Sequence, residues 1–119
     1  MPPYHWQALE AGGYDYFSRK LKYAENFYDL FRIDHFVGIF RVWAFSREAG
    51  AGAFDPPDEA QWETQGRKIL SILLSETRML PCAEDLGTVP ECSFRVLKEY
   101  AIPGMEIQRW MREDRKSVV

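Results

Sequence analysis

Two short stretches of the sequence place charged side chains inside otherwise apolar segments. The first, DLFRIDHF at residues 29–36, carries Arg32 and Asp34 two residues apart. The second, MLPCAED at residues 79–85, ends in two adjacent carboxylates. Aromatic and β-branched residues in the first stretch are typical of a strand. Because charged residues are almost never fully buried unless they are paired, these side chains indicate a functional requirement.

The spacing of the charges predicts a site that two carboxylates share. Side chains alternate faces along a strand, so Arg32 and Asp34 share one face while His35 takes the other. On the second strand Glu84 and Asp85 likewise point to opposite faces. We therefore expect Arg32, Asp34 and Glu84 to converge on one pocket over adjacent strands. Paired carboxylates are the machinery of glycoside chemistry, in which one attacks the anomeric carbon and the other protonates the leaving oxygen.

The elements around these stretches alternate between helical and extended patterns. Helical spacing covers 11–28 and 58–78, and Pro90 is placed to open a helix that runs through Tyr100. Strands are predicted at 29–36, 79–85 and 104–110. This alternation favours an α/β fold with a parallel sheet. We expect about three consecutive βα units of a (β/α)8 TIM barrel, with 46–57 as an insertion in a βα loop. A doubly wound sheet also fits the alternation, but no Gly-rich phosphate loop follows any of the three strands.

Composition and charge exclude several classes of protein. The 119 residues are 46% hydrophobic and 28% charged, which is typical of one globular domain. A net charge of −3 offers no basic surface for nucleic acid. No apolar run approaches the roughly 18 residues of a membrane span, and the N-terminal residues lack the pattern of a signal peptide. The two cysteines match no zinc or redox spacing. These features predict a cytoplasmic location, with neither nucleic acid nor membrane as a partner.

The longer motifs resemble those of a known enzyme family. RIDHFVG, then LPCAEDLGTVPE fifty residues later, then IPGMEIQRW are similar in order and distance to motifs of the amylomaltase or disproportionating-enzyme family of 4-α-glucanotransferases, in the α-amylase clan. The resemblance implies that residues 1–119 are a fragment of the catalytic TIM-barrel domain, with no separate second domain. Family members are several hundred residues long, and their third catalytic carboxylate follows a His-Asp motif that is missing here. The chain therefore resembles an internal fragment.

The resemblance also implies roles for individual residues. Asp34 would be the nucleophile and Glu84 the general acid/base of a retaining double displacement. Arg32 would orient the nucleophile and keep it ionised, as a neighbouring positive charge does. The implied substrates are maltooligosaccharides or α-glucans, and no cofactor or catalytic metal is implied. Substrate contacts are expected from His35 and from two further positions, Asp85 and Trp110.

Several alternatives stay open at this stage. The Arg32–Asp34 pair could be a structural ion pair, and the residues of the two motifs could be imagined as a metal site, although their spacing is not diagnostic. His35 could be a packed histidine instead of a sugar contact, while His5 and Trp6 could approach the site. The activity could be that of an α-amylase-clan hydrolase, or the chain could be a non-catalytic glucan-binding fragment. Self-association of the fragment is a further possibility.

Overall fold

The computed structural model describes residues 4–46, 48 and 50–107. Within these ranges the helices are α1 (Trp6–Ala11), α2 (Asp15–Ala24), α3 (Glu59–Ser75) and α4 (Glu91–Glu99). The strands are β1 (Leu30–Ile33), β2 (Val42–Ser46), β3 (Ala51–Asp55) and β4 (Leu80–Ala83), and a 3-10 helix spans Phe36–Ile39. The predicted α/β class is confirmed. No helix of the described part is long and apolar enough to cross a membrane.

Two strands pair in parallel at the centre of the molecule. β1 and β4 are in register from Leu30 opposite Leu80 to Ile33 opposite Ala83. The chain between them passes through α3, the crossover that a parallel pair requires. Ile33 and Ala83 are buried, whereas Leu30 and Leu80 are exposed. The sheet therefore has one covered face and one open face.

The hydrophobic core joins the covered face of the sheet to α3 and α4. Its most deeply buried apolar side chains, all at or near zero exposure, are Phe36, Phe40, Leu70, Ala83 and Val96. Asp58 caps α3, because its side chain accepts a hydrogen bond from the Ala60 N–H at 3.0 Å. The observed limits of α3 and α4 agree with the predicted 58–78 and Pro90–Tyr100 to within three residues at each end.

The predicted helix over 11–28 is confirmed in its middle part, where α2 spans Asp15–Ala24, and is wrong at both ends. A separate helix, α1, ends at Ala11, and a turn at 12–14 separates it from α2. Gly13 and Tyr14 both have positive φ, 62° and 56°, and left-handed residues cannot continue a right-handed helix. The apolar pattern that predicted the helix runs from Tyr14 to Tyr28, so it located α2 but not its exact ends.

Two predictions about the strands are also wrong: where the first strand ends, and that a strand begins at residue 104. β1 stops at Ile33, because His35 adopts a left-handed conformation (φ 49°) that turns the chain into the 3-10 helix. The predicted third strand does not form over residues 104–107, and 108–110 lie outside the described residues. Pro103 accepts one bond from the Ala83 N–H at 2.9 Å but has no N–H of its own. The Met105 N–H then goes to the carboxylate of Asp85 at 2.9 Å instead of to a strand carbonyl. The described part therefore contains two parallel strands, not three.

The predicted loop insertion at 46–57 belongs to a structured hairpin. β2 and β3 pair in antiparallel register, with Trp43 opposite Phe54 and Phe45 opposite Gly52. The Trp43 and Phe54 rings meet edge to face at 4.9 Å between centroids. The hairpin lies between β1 and α3 in the chain, so it extends the connection that begins at Asp34.

Charged side chains connect α3 to α4 on the outside of the molecule. Arg67 donates to Glu63 at 2.8 Å and to Glu99 at 2.7 Å, and Arg95 donates to Glu63 at 2.6 Å. The hydrogen bonds from Arg95 and Arg67 lower the pKa of Glu63, and the bond from Arg67 lowers that of Glu99. Exposed pairs of this kind stabilise a protein little, so the apolar contacts remain the main source of packing energy here.

A buried glycine in α3 gives a first testable prediction. A Cβ on Gly66 would lie 2.4 Å from the ring of Phe40, which has no exposed surface through which to move. Overpacking a core costs about 1–3 kcal/mol, against a gain of about 0.5–1 kcal/mol when alanine replaces glycine in a helix. We expect Gly66→Ala to lower the free energy of unfolding by about 1 kcal/mol or more, measured by urea denaturation.

The exposed Ser71 of the same helix provides the matched control for this measurement. Ser71→Ala improves helix propensity without meeting the core, so its unfolding midpoint should be unchanged or slightly raised. A Gly66→Ala variant more stable than the parent would show that the Phe40 ring moves aside at little cost. The short distance between Gly66 and Phe40 would then not be a packing constraint.

Candidate active site

The two candidate catalytic carboxylates follow directly on the paired ends of β1 and β4. Asp34 comes after Ile33, Glu84 comes after Ala83, and those two preceding residues are register partners. The ladder continues past the strands, since the Glu84 N–H donates to the Ile33 carbonyl at 3.0 Å and the Phe36 N–H donates to the Glu84 carbonyl at 2.8 Å. The backbones that carry both carboxylates therefore lie side by side at the carboxyl edge of the sheet.

The carboxylate of Glu84 is held by backbone amides on both oxygens. Oε2 accepts from the His35 N–H at 3.0 Å, and Oε1 accepts from the Leu86 N–H at 3.1 Å. One donor belongs to the connection after β1 and the other to the connection after β4. Because both contacts come from the main chain, the orientation of Glu84 depends on how these two connections sit against each other.

Asp34 is open to solvent and forms an ion pair with Arg32. Its side chain is 77% exposed and that of Arg32 is 49% exposed. The contact joins Arg32 Nη2 to Asp34 Oδ1, so the two groups lie on the same side, as alternation predicts. An ion pair this exposed adds little to stability. The pair leaves the carboxylate of Asp34 accessible from solvent.

Two of the three predicted substrate-contact residues, His35 and Asp85, lie within the described residues. The alternation that put His35 on the opposite face does not apply, because the strand ends before it. The His35 side chain is exposed and covers Gly38, where an added Cβ would lie 2.8 Å from its Cδ2. Asp85 uses one oxygen to accept the Met105 N–H and lies against Gly104. Trp110 lies outside the described residues.

The described residues contain no metal site, and the groove between α1 and α3 lies away from the candidate carboxylates. Among the described residues, no three His, Cys, Asp or Glu side chains converge closely enough to hold a metal ion. An open groove of about 350 Å³ lies between α1 and α3, lined in part by Trp6, Tyr14 and Lys68 but by neither Asp34 nor Glu84. His5 caps α1 by accepting the Ala8 N–H at 3.1 Å.

Sequence reasoning missed one residue near the site, Arg41. Its guanidinium donates to the Thr88 carbonyl at 3.1 Å and lies over the rings of Phe54 and Trp62. These partners are 13 to 47 residues away in the sequence, so no local spacing marks them. The position of an arginine between aromatic residues in IFRVWAF was the only signal available.

Comparison with known proteins agrees with the motifs and the fold. The family model described as 4-alpha-glucanotransferase matches residues 1–119. This chain belongs to the 4-alpha-glucanotransferase family. The match covers every position discussed above, including both candidate carboxylates, so the predicted family is confirmed.

Relatives with this name occur in bacteria and plants. A 4-alpha-glucanotransferase of Chlamydia trachomatis is 44% identical over 112 residues, covering 94% of this chain and 21% of its own length. A chloroplastic/amyloplastic 4-alpha-glucanotransferase of Solanum tuberosum is 32% identical over 108 residues, covering 89% of this chain and 18% of its own. This 4-alpha-glucanotransferase-family chain thus spans about a fifth of the length of the curated relatives it matches.

A solved structure has the same fold over most of the chain. The amylomaltase from Streptococcus agalactiae in complex with acarbose superposes with a TM-score of 0.63 at 25% sequence identity. The superposition covers 92% of this chain and 21% of the amylomaltase. Both comparisons therefore relate the chain to about one fifth of a longer enzyme.

Proposed function

We propose that the protein carrying this chain is a 4-α-glucanotransferase that moves α-1,4-glucan segments between maltooligosaccharides. The observation that supports it best is the placement of Asp34 and Glu84 at the paired carboxyl ends of two parallel strands, in a chain of this family. In parallel barrels, catalytic groups come from that edge. Residues 1–119 then form part of one catalytic (β/α)8 domain, and the predicted cytoplasmic location is part of the same proposal.

The proposed mechanism gives each carboxylate a separate task. Asp34 attacks the anomeric carbon as the bond to the leaving oxygen breaks, and Glu84 gives that oxygen its proton. The glucan is then covalently attached to Asp34. In the second step Glu84 removes a proton from the hydroxyl of an acceptor glucan, which displaces Asp34 with net retention. Arg32 orients Asp34, in agreement with their ion pair.

The surroundings of the two groups fit these tasks. Asp34 is accessible to an approaching sugar, whereas Glu84 is half-buried with its oxygens directed by two amides. Retaining enzymes hold the two carboxyl groups about 5–5.5 Å apart, the separation expected in the complete barrel. His35 and Asp85 border this pair and are proposed to contact substrate together with Trp110. No cofactor or metal enters the mechanism.

The product pattern distinguishes transfer from the alternative, hydrolysis by a relative in the same clan. Transfer makes one glycosidic bond for each it breaks, so reducing ends stay constant while maltotriose is converted to glucose and longer glucans. Hydrolysis adds a reducing end with every cleavage. We expect the full-length protein to give the first pattern, measured by chromatography of the products and a reducing-end assay on the same samples. Steady growth of reducing ends without longer products would establish a hydrolase instead.

A further inference from the structure

Arg41 joins the two connections that begin at the candidate carboxylates. It lies between the 3-10 helix and β2, in the connection that starts at Asp34 and ends at α3. Its Nη2 donates to the carbonyl of Thr88 at 3.1 Å, in the connection that starts at Glu84 and ends at α4. The guanidinium is therefore a direct link between the two loops that carry the proposed nucleophile and acid/base.

Aromatic rings hold this guanidinium in place. Its central carbon lies 4.2 Å from the centroid of the Phe54 ring and 5.0 Å from that of Trp62. The two rings pack edge to face at 5.3 Å, and the Trp62 indole N–H donates to the Pro56 carbonyl at 2.9 Å. Cations over aromatic faces are attracted by the ring quadrupole. Arg41 thereby gathers β3, α3 and the Thr88 loop around one group.

The charge of Arg41 is not used in an ion pair among the described residues. No carboxylate of the described part lies within salt-bridge distance of it, and its buried Nε has no hydrogen-bond partner there. A buried donor left unpaired is costly, so a residue kept only for stability would be expected to have a better-satisfied side chain. A positioning role gives a reason to keep the planar guanidinium in spite of that cost.

The Thr88 loop needs a second point of attachment. Its first anchor is Glu84, whose carboxylate binds the amides of His35 and Leu86. Gly87 follows with φ 95°, a conformation that glycine adopts without strain. Arg41 grips the loop one residue past that glycine. With Leu86 bound to Glu84 and Thr88 bound to Arg41, the short segment that carries the Glu84 carboxylate and its amide donor is attached at both ends.

We propose that Arg41 is a positioning residue that sets the orientation of Glu84 by clamping the Thr88 loop onto the connection after β1. The inference rests on the proposed transferase function. Lysine would keep the charge but cannot lie flat over two rings while donating to Thr88. Arg41→Lys is therefore the informative change, and Phe54→Leu is a second variant that weakens the clamp while leaving Arg41 itself in place.

Two donors of different leaving-group chemistry test the proposal in the full-length protein. Maltotriose needs a proton from Glu84 for departure, whereas fluoride leaves α-maltosyl fluoride without one. We expect Arg41→Lys to lower kcat/KM for maltotriose about 10-fold, in line with the effect of small misplacements of catalytic groups, and to change kcat/KM for the fluoride less than about twofold. Phe54→Leu should show the same split to a smaller degree, and Glu84→Gln the same split to a larger one.

Matched controls separate this role from simple stability. Arg95→Lys makes the same change on α4, where Arg95 pairs only with Glu63 among the described residues, and should leave both donors unaffected. Hydrogen exchange of the amides at 86–88 should rise in Arg41→Lys and, to a smaller degree, in Phe54→Leu, but not in Arg95→Lys. Equal losses with both donors, or no loss with either, would overturn the positioning role. If Glu84→Gln itself spared maltotriose, the proposed function would fail instead, which is a separate result.

Discussion

Replacing Asp34 by asparagine is expected to lower kcat of the full-length protein on the order of 10⁶-fold, the scale on which loss of the nucleophile slows a covalent hydrolase. The amide cannot attack the anomeric carbon, so no glucosyl-enzyme forms. Asp34 is exposed, and among the described residues its side chain pairs with Arg32, so the fold should survive. The measurement is glucose release from maltotriose, with thermal unfolding recorded on the same preparations.

Azide rescue identifies which carboxylate is the nucleophile. In Asp34→Gly, azide has room to attack the sugar of α-maltosyl fluoride from the vacated side, which gives a β-configured glycosyl azide. In Glu84→Ala the glycosyl-enzyme still forms, so azide attacks it from the opposite side and gives the α-configured product. An α-configured azide from the Asp34 variant, or near-normal turnover in Asp34→Asn, would remove Asp34 from the nucleophile position.

The sequence predicted the position of the candidate site better than its shape. Because side chains alternate along strands and parallel strands end together, the spacing of Arg32, Asp34 and Glu84 was enough to predict neighbours at one edge. It was not enough to predict that β1 ends at Ile33. The end of the strand depends on the left-handed backbone of His35, and histidine is among the residues enriched there, a signal that periodicity does not contain.

Contacts between distant residues account for the remaining differences. The hairpin of β2 and β3 includes the contact of Trp43 with Phe54, and over the described residues 104–107 the Met105 amide goes to Asp85 and not to a strand. The Gly12–Gly13 pair was a local signal for the turn before α2, and the prediction of a helix from residue 11 did not use it. Arg41 had no local signal of comparable strength, since its partners come together only when α3 and the two loops pack.

The open face of the sheet leads to the second large prediction, that the 119-residue chain alone has no transferase activity. Leu30 and Leu80 are register partners, 60% and 65% exposed, on the face that also carries Arg32. In a TIM barrel eight strands close around such side chains and fill the interior. With two described strands the face stays wet, and water weakens the electrostatic interactions that a catalytic site depends on. Chromatography should detect no product from maltotriose at high protein concentration, beside the full-length protein as positive control.

The same face should make the isolated chain self-associate. The outer edge of β1 has no strand partner among the described residues, which makes it a template for pairing with another chain, and two strands alone are marginally stable. We expect light scattering to detect dimers or larger species whose population falls in Leu80→Lys, because the charge interrupts the apolar face. Tyr23→Lys changes a side chain of similar exposure, 70%, on α2, and should leave the association unchanged.

Glucose and longer glucans from the isolated chain would show that the chemistry needs less of the barrel than proposed. Equal effects of the two lysine variants would show that association does not use the open face.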